Sequence, residues 1–334
     1  MRRFFAQLLF IITVVLTVPA YADFNYADQP DVKAFIQKMV KKHHFNEKYL
    51  TKLFSQVKVR HQVIKHLNKP LEKESWHTYQ MLFVNEWRIQ HGVKFWNKYK
   101  DTLERAERIY GVPASIIVAT IGVETKYGER IGDYRVIDSL TNIAFSDSRR
   151  AGFFRSELEQ FLLLTKEQRL DPMKVMGSYA GAIGQPQFMP SSYRHYAVNF
   201  SNSGKIDLMN NEVDVIGSVA NYYSKSGWIK NEPVAIPASI IGDRYRYLTK
   251  KGTLDRKNTI AQLSQYGIIP SKKTDYDNLK VSVIELQSRY NREYWLGFHN
   301  FGVIKRYNPS DLYAMAVFQL GGYITGLKER LSNG

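Results

Sequence analysis

The chain has 334 residues, of which 44% are hydrophobic and 13% aromatic, and this is enough apolar material for one large domain or a few smaller ones. The 47 basic residues outnumber the 31 acidic ones and give a formal net charge of +16, which favours anionic partners or serves solubility alone. There is no cysteine, which excludes a disulfide framework and a lipoprotein anchor, since both are built on cysteine.

The first 22 residues have the pattern of a secretory signal peptide. A basic start precedes an apolar stretch over 4–18, and Ala-Tyr-Ala at 20–22 matches a cleavage site. An uncleaved anchor helix is the alternative, but the apolar stretch is short for a span of about 20 residues. We therefore predict a mature chain that begins at Asp23. An exported basic protein is less expected to bind nucleic acid. Its expected anionic partners are lipid head groups, wall polymers or acidic glycans.

Helical periodicity dominates the rest of the chain. After helices of mixed polarity within 31–90, it predicts helices over 93–110, 113–127, 150–164, 183–198 in broken form, 214–226 and 310–330. Gly111 ends the first of these, and Pro113 suits the first position of the next. Residues 233–287 differ, because the β-favouring run VSVIEL lies there among several Pro, Gly and Lys residues. The predicted fold class is α+β, mostly α, with a small strand-containing insertion.

One acid stands out in the apolar run SIIVATIGVETKYG, residues 115–128. On a helix, Ile117, Ile121 and Glu124 share one face, so Glu124 is expected at the edge of a core. A carboxyl partly removed from water has a raised pKa and is able to donate a proton near neutral pH, which suits a general acid. The alternative is an ordinary glutamate at a helix end, paired with a nearby lysine or arginine.

Two further motifs point to a ligand. Arg149 and Arg150 precede a predicted helix and would suit substrate carboxylates, although alone they would indicate only a solvated basic turn. The stretch GSYAGAIGQPQFMPSSY, residues 177–193, mixes tight-turn residues with hydroxyls, amides and aromatic rings. Such groups suit a carbohydrate, which offers hydroxyls at its rim and C–H faces for stacking. A Gly-Pro loop without function is the alternative.

Five motifs in this order resemble the lytic murein transglycosylase B family: IGVETKYG, RRAGFFRSELEQFLLL, GSYAGAIGQPQFMPSSY, IGSVANYYSKSGW and FGVIKRYN with the later YAMAVFQL. The resemblance runs from about Tyr79 to Leu320. It implies a lysozyme-like core and cleavage of the peptidoglycan bond between N-acetylmuramic acid and N-acetylglucosamine. The expected organisation is a signal peptide at 1–22, a helical region at 23–100, a lysozyme-like catalytic core at 101–232, the small β-containing insertion at 233–290 and a C-terminal segment at 291–334 that completes the body.

The resemblance also assigns roles to individual residues. It makes Glu124 the catalytic acid. Residues that match the family's substrate-binding positions are the polar Ser178, Gln187 and Asn308, the aromatic Tyr79, Tyr222, Tyr307 and Tyr313, and the cations Arg149 and Arg150. For each aromatic residue, packing in the core is the alternative, above all for Tyr222 and Tyr313 on apolar helices.

The family's reaction needs a single carboxyl group. The acid protonates the glycosidic oxygen, then acts as a base on the C6 hydroxyl of muramic acid, which closes a 1,6-anhydro ring without water. A lysozyme-type muramidase is the nearest alternative, with Asp133, Asp138 or Asp147 as the second carboxylate of a hydrolase. A non-catalytic peptidoglycan-binding protein is another, against which the presence of Glu124 argues.

The expected partners follow from the same resemblance. They are peptidoglycan glycan strands and other cell-wall enzymes in the periplasm; no nucleic acid, stable membrane anchor, cofactor or metal is expected. The run NFSNSGKIDLMNNEVD, residues 199–214, resembles the calcium loop of this family with its acidic ligands eroded. Asn199, Ser201 and Ser203 stand at ligand positions, so we predict a turn held by hydrogen bonds, with weak calcium binding or none.

Overall fold

The structure, a computed structural model, describes residues 24–67, 74–250 and 258–333. The predicted signal peptide at 1–22 lies outside the described residues. The chain divides into two compact units, one up to Gln56 and one from Val57 to Gly334.

The first unit is a helical hairpin with a short 3-10 helix before it. Tyr26–Asp28 forms the 3-10 helix, and helices α1 and α2 are Pro30–His43 and Glu47–Ser55. The predicted apolar face of α1 is buried, and Phe35 meets Phe54 of α2 edge to face with ring centroids 6.0 Å apart. Burial of these rings and of the aliphatic side chains beside them stabilises two helices that are too short to be stable alone.

Helices form most of the second unit. They are α3 (His61–Leu67), α4 (Trp76–Phe83), α5 (Glu86–Lys98), α6 (Lys100–Tyr110), α7 (Ala114–Thr125), α8 (Val136–Ala144), α9 (Ala151–Glu167), α10 (Pro190–Tyr196), α11 (Glu212–Lys225), α12 (Tyr245–Lys250), α13 (Ile260–Ser264), α14 (His299–Tyr307) and α15 (Asp311–Asn333).

Helix α7 occupies the centre of this unit. It packs against α5, α6, α11 and α15, and this explains why its sequence is apolar on nearly every side instead of along one stripe. Gly111 ends α6 in the left-handed conformation, with φ of 72°, and Pro113 is the N-cap of α7. Among the described residues, no single helix is long and apolar enough to span a membrane. Helices α6 and α7 together have the necessary length and composition, but they meet at an angle of 113°.

The prediction of one helix over 93–110 was wrong. The helix breaks at Tyr99, whose φ and ψ of −113° and 26° are not helical, so α5 ends at Lys98 and α6 begins at Lys100. The break lets α5 pack on α15 while α6 packs on α11. Neither glycine nor proline marks this position, so local sequence gave no signal for it.

Strands form two antiparallel sheets. Strands β1 (Tyr134–Arg135) and β2 (Met176–Gly177) pair with each other, and the larger sheet has the order β4-β6-β7-β3-β5, built from β3 (Ala235–Ile240), β4 (Asn258–Thr259), β5 (Ile268–Pro270), β6 (Lys280–Gln287) and β7 (Arg292–Gly297). Ile260, Val281 and Leu296 lie in the small core of the larger sheet. The strand-containing insertion thus exists, and its sheet extends beyond the predicted limit at 290 to include β7.

Asp138 anchors the start of α8. Its side chain is fully buried and bonds to the Arg135 guanidinium at 2.7 and 2.9 Å, and it accepts a hydrogen bond from the Lys58 main-chain N–H at 3.1 Å. A buried carboxylate with these partners is a structural ion pair, so removal of one charge leaves the other without compensation.

We expect Asp138→Asn to lower the free energy of unfolding by about 2–4 kcal/mol, because the partly buried Arg135 guanidinium would lose its fully buried counter-ion. Urea denaturation monitored by circular dichroism measures this change. Asp133→Asn is the matched control, since Asp133 is exposed in the same segment and its replacement should change stability by less than about 0.5 kcal/mol. Equal midpoints for both variants would contradict the anchoring role.

Candidate active site

Glu124 lies in the last turn of the central helix α7 and is partly buried. The helix ends directly behind it, because Lys126 and Tyr127 both adopt the left-handed conformation, with φ of 53° and 60°. Such a conformation is costly for residues other than glycine and persists only where the surroundings hold it. The chain therefore turns sharply at this acid and places its carboxyl group at the rim of the core.

The turn behind Glu124 is fixed by three contacts. The Thr125 hydroxyl donates to the main-chain oxygen of Gln185 at 2.8 Å, and the Tyr127 hydroxyl donates to that of Arg88 at 2.7 Å. Gly128 has φ of 91°, and a Cβ added there would lie 2.8 Å from Cδ of Gln185, so this position requires glycine. The Thr, Tyr and Gly that follow the acid in the sequence thus hold its helix end against α5 and the Gly-rich loop.

A cluster of tyrosines surrounds the carboxyl group; we define it as Tyr222 and Tyr223 of α11, Tyr307 of α14 and Tyr313 of α15. The Tyr313 hydroxyl donates a hydrogen bond of 2.7 Å to Oε1 of Glu124. Tyr307 stacks on Tyr313 with ring centroids 6.2 Å apart and donates its own hydroxyl proton to the main-chain oxygen of Pro186 at 2.5 Å. Three helices distant in sequence therefore converge on Glu124.

The tyrosine hydroxyls near Glu124 stay protonated. Burial, and next the negative charge of Glu124, raise the pKa of Tyr307 and of Tyr313 well above the usual value. Burial likewise raises the pKa of Tyr222 to about 12. Each phenol is therefore neutral at physiological pH, and Tyr313 acts as a hydrogen-bond donor to the acid.

Tyr222 connects the tyrosine cluster to an open groove. Its ring centroid lies 4.6 Å from that of Tyr307, and its hydroxyl donates to the main-chain oxygen of Arg306 at 2.6 Å. The groove has a volume of about 830 Å³ and is lined by polar side chains of α9 and α10. Arg194 forms one wall, where it is bonded to Glu167 at 2.5 and 2.8 Å. Hydroxyls, charged groups and the two tyrosines Tyr196 and Tyr222 line this groove, and such groups suit a carbohydrate.

The Gly-rich stretch 177–190 forms a tight loop that starts at β2. Isolated bridges pair Ile183 with both Gly177 and Phe188. The Ser178 hydroxyl accepts a hydrogen bond from the Ala182 N–H at 3.0 Å, and the Gln187 amide donates to the main-chain oxygens of Ile131 at 3.0 Å and Gly184 at 2.9 Å. Both side chains thus shape the loop. Whether they also bind substrate stays a prediction.

The remaining predicted binding residues lie outside the tyrosine cluster and the Gly-rich loop. Arg149 and Arg150 are exposed before α9, and the Arg150 guanidinium lies 5.1 Å from the ring centroid of Phe154. Tyr79 of α4 is only 2% exposed and packs on Phe83 at 4.5 Å, which leaves it little surface for a ligand. Asn308 follows Tyr307 at the end of α14 and is partly exposed. A hydrogen bond joins Glu124 to Tyr313, whose ring stacks on Tyr307, and Tyr307 in turn packs on Tyr222. The substrate roles of all the predicted binding residues stay predictions.

The aspartates proposed as a second carboxylate differ in their surroundings. Asp138 forms an ion pair with Arg135 and is therefore unsuited to serve as the second carboxylate of a hydrolase. Asp133 and Asp147 are exposed. A further buried acid, Glu157, accepts hydrogen bonds from the Ser191 N–H at 2.9 Å and hydroxyl at 2.6 Å. Glu157 therefore caps the start of α10 and also has a structural role.

Sequence reasoning missed two residues near the acid. The hydroxyls of Thr120 and Tyr223 lie 2.9 Å apart, and both side chains are fully buried. The available signal was the spacing of Thr120 and Glu124, which are four residues apart and so share a helix face. The partner on α11 could not have been found this way, because it lies 103 positions later in the chain.

The loop at 199–214 is held by its own hydrogen bonds, as predicted. Asp214 is fully buried, and its two carboxylate oxygens accept the N–H groups of Ser201 at 2.8 Å and Asp207 at 3.0 Å. Asn199 Oδ1 accepts the N–H of Ser203 at 3.0 Å. No group of three or more His, Cys, Asp or Glu side chains within the described residues is placed to hold a metal ion. Asn199, Ser201 and Ser203 offer no carboxylate at the ligand positions, and such a donor set fits calcium poorly, since calcium prefers six to eight oxygen ligands rich in carboxylate.

We expect titration with calcium in a calorimeter to give no heat of tight binding, and millimolar calcium to leave the thermal midpoint unchanged, because main-chain N–H groups already occupy the Asp214 carboxylate. Ser203→Asp together with Asn199→Asp, which restores two acidic ligands, should create measurable affinity. Micromolar binding by the unchanged protein would contradict the prediction.

Comparisons with known proteins identify the family of the chain. The family model described as a transglycosylase SLT domain matches residues 27–322. Membrane-bound lytic murein transglycosylase B of Escherichia coli strain K12 is 40% identical over 307 residues, which is 89% of this chain and 83% of that protein.

Solved structures give the same result. The soluble lytic transglycosylase SltB1 from Pseudomonas aeruginosa is 41% identical, with a TM-score of 0.82 over 90% of this chain and 100% of that one. The E. coli lytic transglycosylase Slt35, in complex with bulgecin A, is 40% identical, with a TM-score of 0.82 over 91% of this chain and 95% of that one. The predicted fold class, mostly helical α+β with a lysozyme-like core, is thereby confirmed. The chain belongs to the transglycosylase SLT domain family and is a peptidoglycan lytic transglycosylase.

Proposed function

We propose that this protein cleaves the β-1,4 bond between N-acetylmuramic acid and N-acetylglucosamine without consuming water, and that Glu124 serves first as general acid and then as general base. The observation that carries the proposal is the place of Glu124, a partly buried acid at the end of an apolar helix whose Oε1 accepts a hydrogen bond from Tyr313. Because its orientation is fixed, its proton can be aimed at one atom of the substrate.

The two steps balance without any added reactant. In the first, the Glu124 carboxyl group gives its proton to the glycosidic oxygen while the bond from that oxygen to C1 of muramic acid breaks. In the second, the Glu124 carboxylate takes the proton of the C6 hydroxyl, and the C6 oxygen bonds to C1 to form a 1,6-anhydro ring. Nucleophile and electrophile belong to one sugar, so proximity favours ring closure over attack by water.

The Tyr313 hydrogen bond supports both steps. A neutral donor at Oε1 stabilises the carboxylate after the first proton transfer, while the partial burial of Glu124 stabilises the protonated acid before it. The raised pKa of Tyr313 keeps this donor in place throughout. A single carboxyl group is thus able to alternate between its two forms at nearly constant pH.

The groove beside Tyr222 is the proposed path of the glycan strand. Sugar faces stack on tyrosine, and the polar walls of α9 and α10 offer hydrogen bonds to sugar hydroxyls. The complex of the related Slt35 with bulgecin A supports a small-molecule site in that relative. The net positive charge of the chain suits anionic wall polymers, whose strands carry peptide carboxylates.

The cellular place proposed for this activity is the periplasm. Residues 1–22 have the basic start, apolar stretch and small-residue cleavage pattern of a signal peptide.

Replacement Glu124→Gln should lower kcat by about a hundredfold to ten-thousandfold, because the amide accepts the Tyr313 bond but has no acidic proton. Purified peptidoglycan is the substrate, and mass spectrometry of the released muropeptides is the measurement. The unchanged protein should release products with 1,6-anhydro ends, one water lighter than hydrolysed products. Glu129→Gln is the matched control, since Glu129 is exposed five positions later, and it should keep full activity.

Two results would count against the proposal. Cleavage by Glu124→Gln at the normal rate would remove Glu124 from the mechanism. Products with reducing ends from the unchanged protein would show hydrolysis, and a second carboxylate would then have to be sought.

A separate prediction concerns export. When the full chain is expressed in a Gram-negative host and isolated from the periplasm, N-terminal sequencing should begin at Asp23, since signal peptidase cleaves after small residues at the position of Ala22. Cytoplasmic protein from the same cells is the control and should retain the first 22 residues. A periplasmic protein that still starts at Met1 would contradict the proposed cleavage.

A further inference from the structure

The loop at 199–214 is bonded directly to the segment that holds the end of the catalytic helix. Gln185 of the Gly-rich loop donates its main-chain N–H to the main-chain oxygen of Leu208 at 2.8 Å, and its side-chain amide to that of Met209 at 3.2 Å. Gln185 and Leu208 are buried, with 3% and 0% of their surface exposed. Water therefore competes little for these bonds, and Gln185 is held through both its main chain and its side chain.

The two loops approach each other so closely that the contact requires a glycine. Gly184 has φ of 71°, and a Cβ added there would lie 2.5 Å from the main-chain oxygen of Leu208. A side chain at this position would both strain the backbone and push the two loops apart. The sequence therefore keeps the backbone of the Gly-rich loop against that of the loop at 199–214.

Two aspartates fix the carbonyl groups that Gln185 meets. Asp214 accepts the N–H of Asp207 at 3.0 Å, and Asp207 Oδ1 in turn accepts the N–H groups of Met209 at 2.9 Å and of Asn210 at 3.0 Å. An aspartate that bonds the main chain two residues later forms a compact turn. Hydrogen bonds from side chain to main chain thus order the part of the loop that contacts Gln185.

On its other side the same segment is bonded to the active site. The main-chain oxygen of Gln185 accepts the Thr125 hydroxyl at 2.8 Å, and that of Pro186 accepts the Tyr307 hydroxyl at 2.5 Å. Thr125 directly follows Glu124 in the sequence, and Tyr307 belongs to the tyrosine cluster. The segment therefore meets the surroundings of the acid at two points while the loop at 199–214 holds it from behind.

We propose that the loop at 199–214 supports catalysis without a bound metal ion: it holds Gln185, and through Gln185 and Thr125 it positions the carboxyl group of Glu124. The inference rests on the proposed role of Glu124 as acid and base. Asp207, Gln185 and Thr125 are positioning residues, because each acts on the acid through another group. A small displacement of the acid from the bond that it protonates lowers the rate strongly, so a loss of this support is felt in kcat.

The first test changes the loop, with kcat measured as the release of muropeptides with 1,6-anhydro ends from purified peptidoglycan. Asp207→Ala removes the acceptor of two N–H groups and should lower kcat about fivefold. KM should change little, since Asp207 does not line the groove. Asp207→Asn keeps an oxygen acceptor without the charge and should restore kcat. A calcium ligand would behave differently, because calcium prefers carboxylate oxygens.

The second test breaks the link next to the acid. Thr125→Val keeps the shape of the buried side chain but removes the hydroxyl, and it should lower kcat about tenfold. Thr125→Ser, which keeps the hydroxyl, should restore kcat. When Asp207→Ala and Thr125→Val are combined, the loss should be smaller than the product of the two single losses, because both changes weaken one support.

Two matched variants separate positioning from stability alone. Thr165→Val removes another buried threonine hydroxyl, which donates to the main-chain oxygen of Leu162 at 3.0 Å. Ser203→Ala removes a hydroxyl from the exposed end of the loop, where it donates to the main-chain oxygen of Lys205 at 3.0 Å. Both variants should keep the normal kcat. Thermal midpoints are recorded for every variant, and kcat is measured well below them, so that each protein is folded.

The outcomes are distinct. A normal kcat in Asp207→Ala, or a kcat of Asp207→Asn as low as that of Asp207→Ala, would overturn the inference and leave the role of Glu124 standing if Glu124→Gln is inactive. A loss in Thr165→Val equal to that in Thr125→Val would show a general packing effect and would also overturn the inference. An active Glu124→Gln would instead overturn the proposed function. If Thr125→Val does not fold, the two Asp207 variants decide.

Discussion

The hydrogen bond from Tyr313 to Glu124 is the contact on which the site depends. A carboxyl group at the end of a helix that is buried on nearly every side loses part of its hydration, and a hydrogen-bond donor offsets that loss. The donor comes from a residue 189 positions away in sequence. The C-terminal helix α15 must therefore be packed on α7 before the acid is able to work, which couples formation of the site to completion of the fold.

That coupling explains the shape of the chain around the acid. The left-handed turn at Lys126 and Tyr127, with Gly128 behind it, stops the helix at the rim of the core. Contacts of this turn with α5 and with the Gly-rich loop restrain it, so strain in the backbone is offset by bonds from two neighbouring segments. The result is a carboxyl group that is held rigidly although it is partly open to solvent, which is what proton transfer to a bound sugar requires.

Buried acids elsewhere in the molecule have different hydrogen-bond partners from those of Glu124. Asp138, Glu157 and Asp214 each accept a main-chain N–H, and such bonds fix loops and helix starts. The bond to Glu124 comes instead from the neutral side chain of Tyr313. The three structural acids thus hold the backbone, whereas Glu124 is held by another side chain.

The amino-acid sequence by itself determined the helical class, the small strand-containing insertion and the position of Glu124 at the edge of a core, because each of these depends on periodicity or on residue type within a short segment. The eroded calcium loop and the catalytic role of Glu124 came from the resemblance. The motif resemblance added the family and the four tyrosine positions. It could not show that Tyr222 and Tyr79 are both buried, nor that only Tyr222 reaches the lining of the groove.

Only the tertiary structure decided which side chains meet. It split the helix predicted over 93–110 at Tyr99, and it used Asp138 in a structural ion pair. It also brought the Tyr313 hydroxyl to Glu124 and the Tyr223 hydroxyl to that of Thr120. The physical reason is the same in each case: these features depend on contacts between segments far apart in sequence, and the packing that creates them leaves no mark in the local pattern.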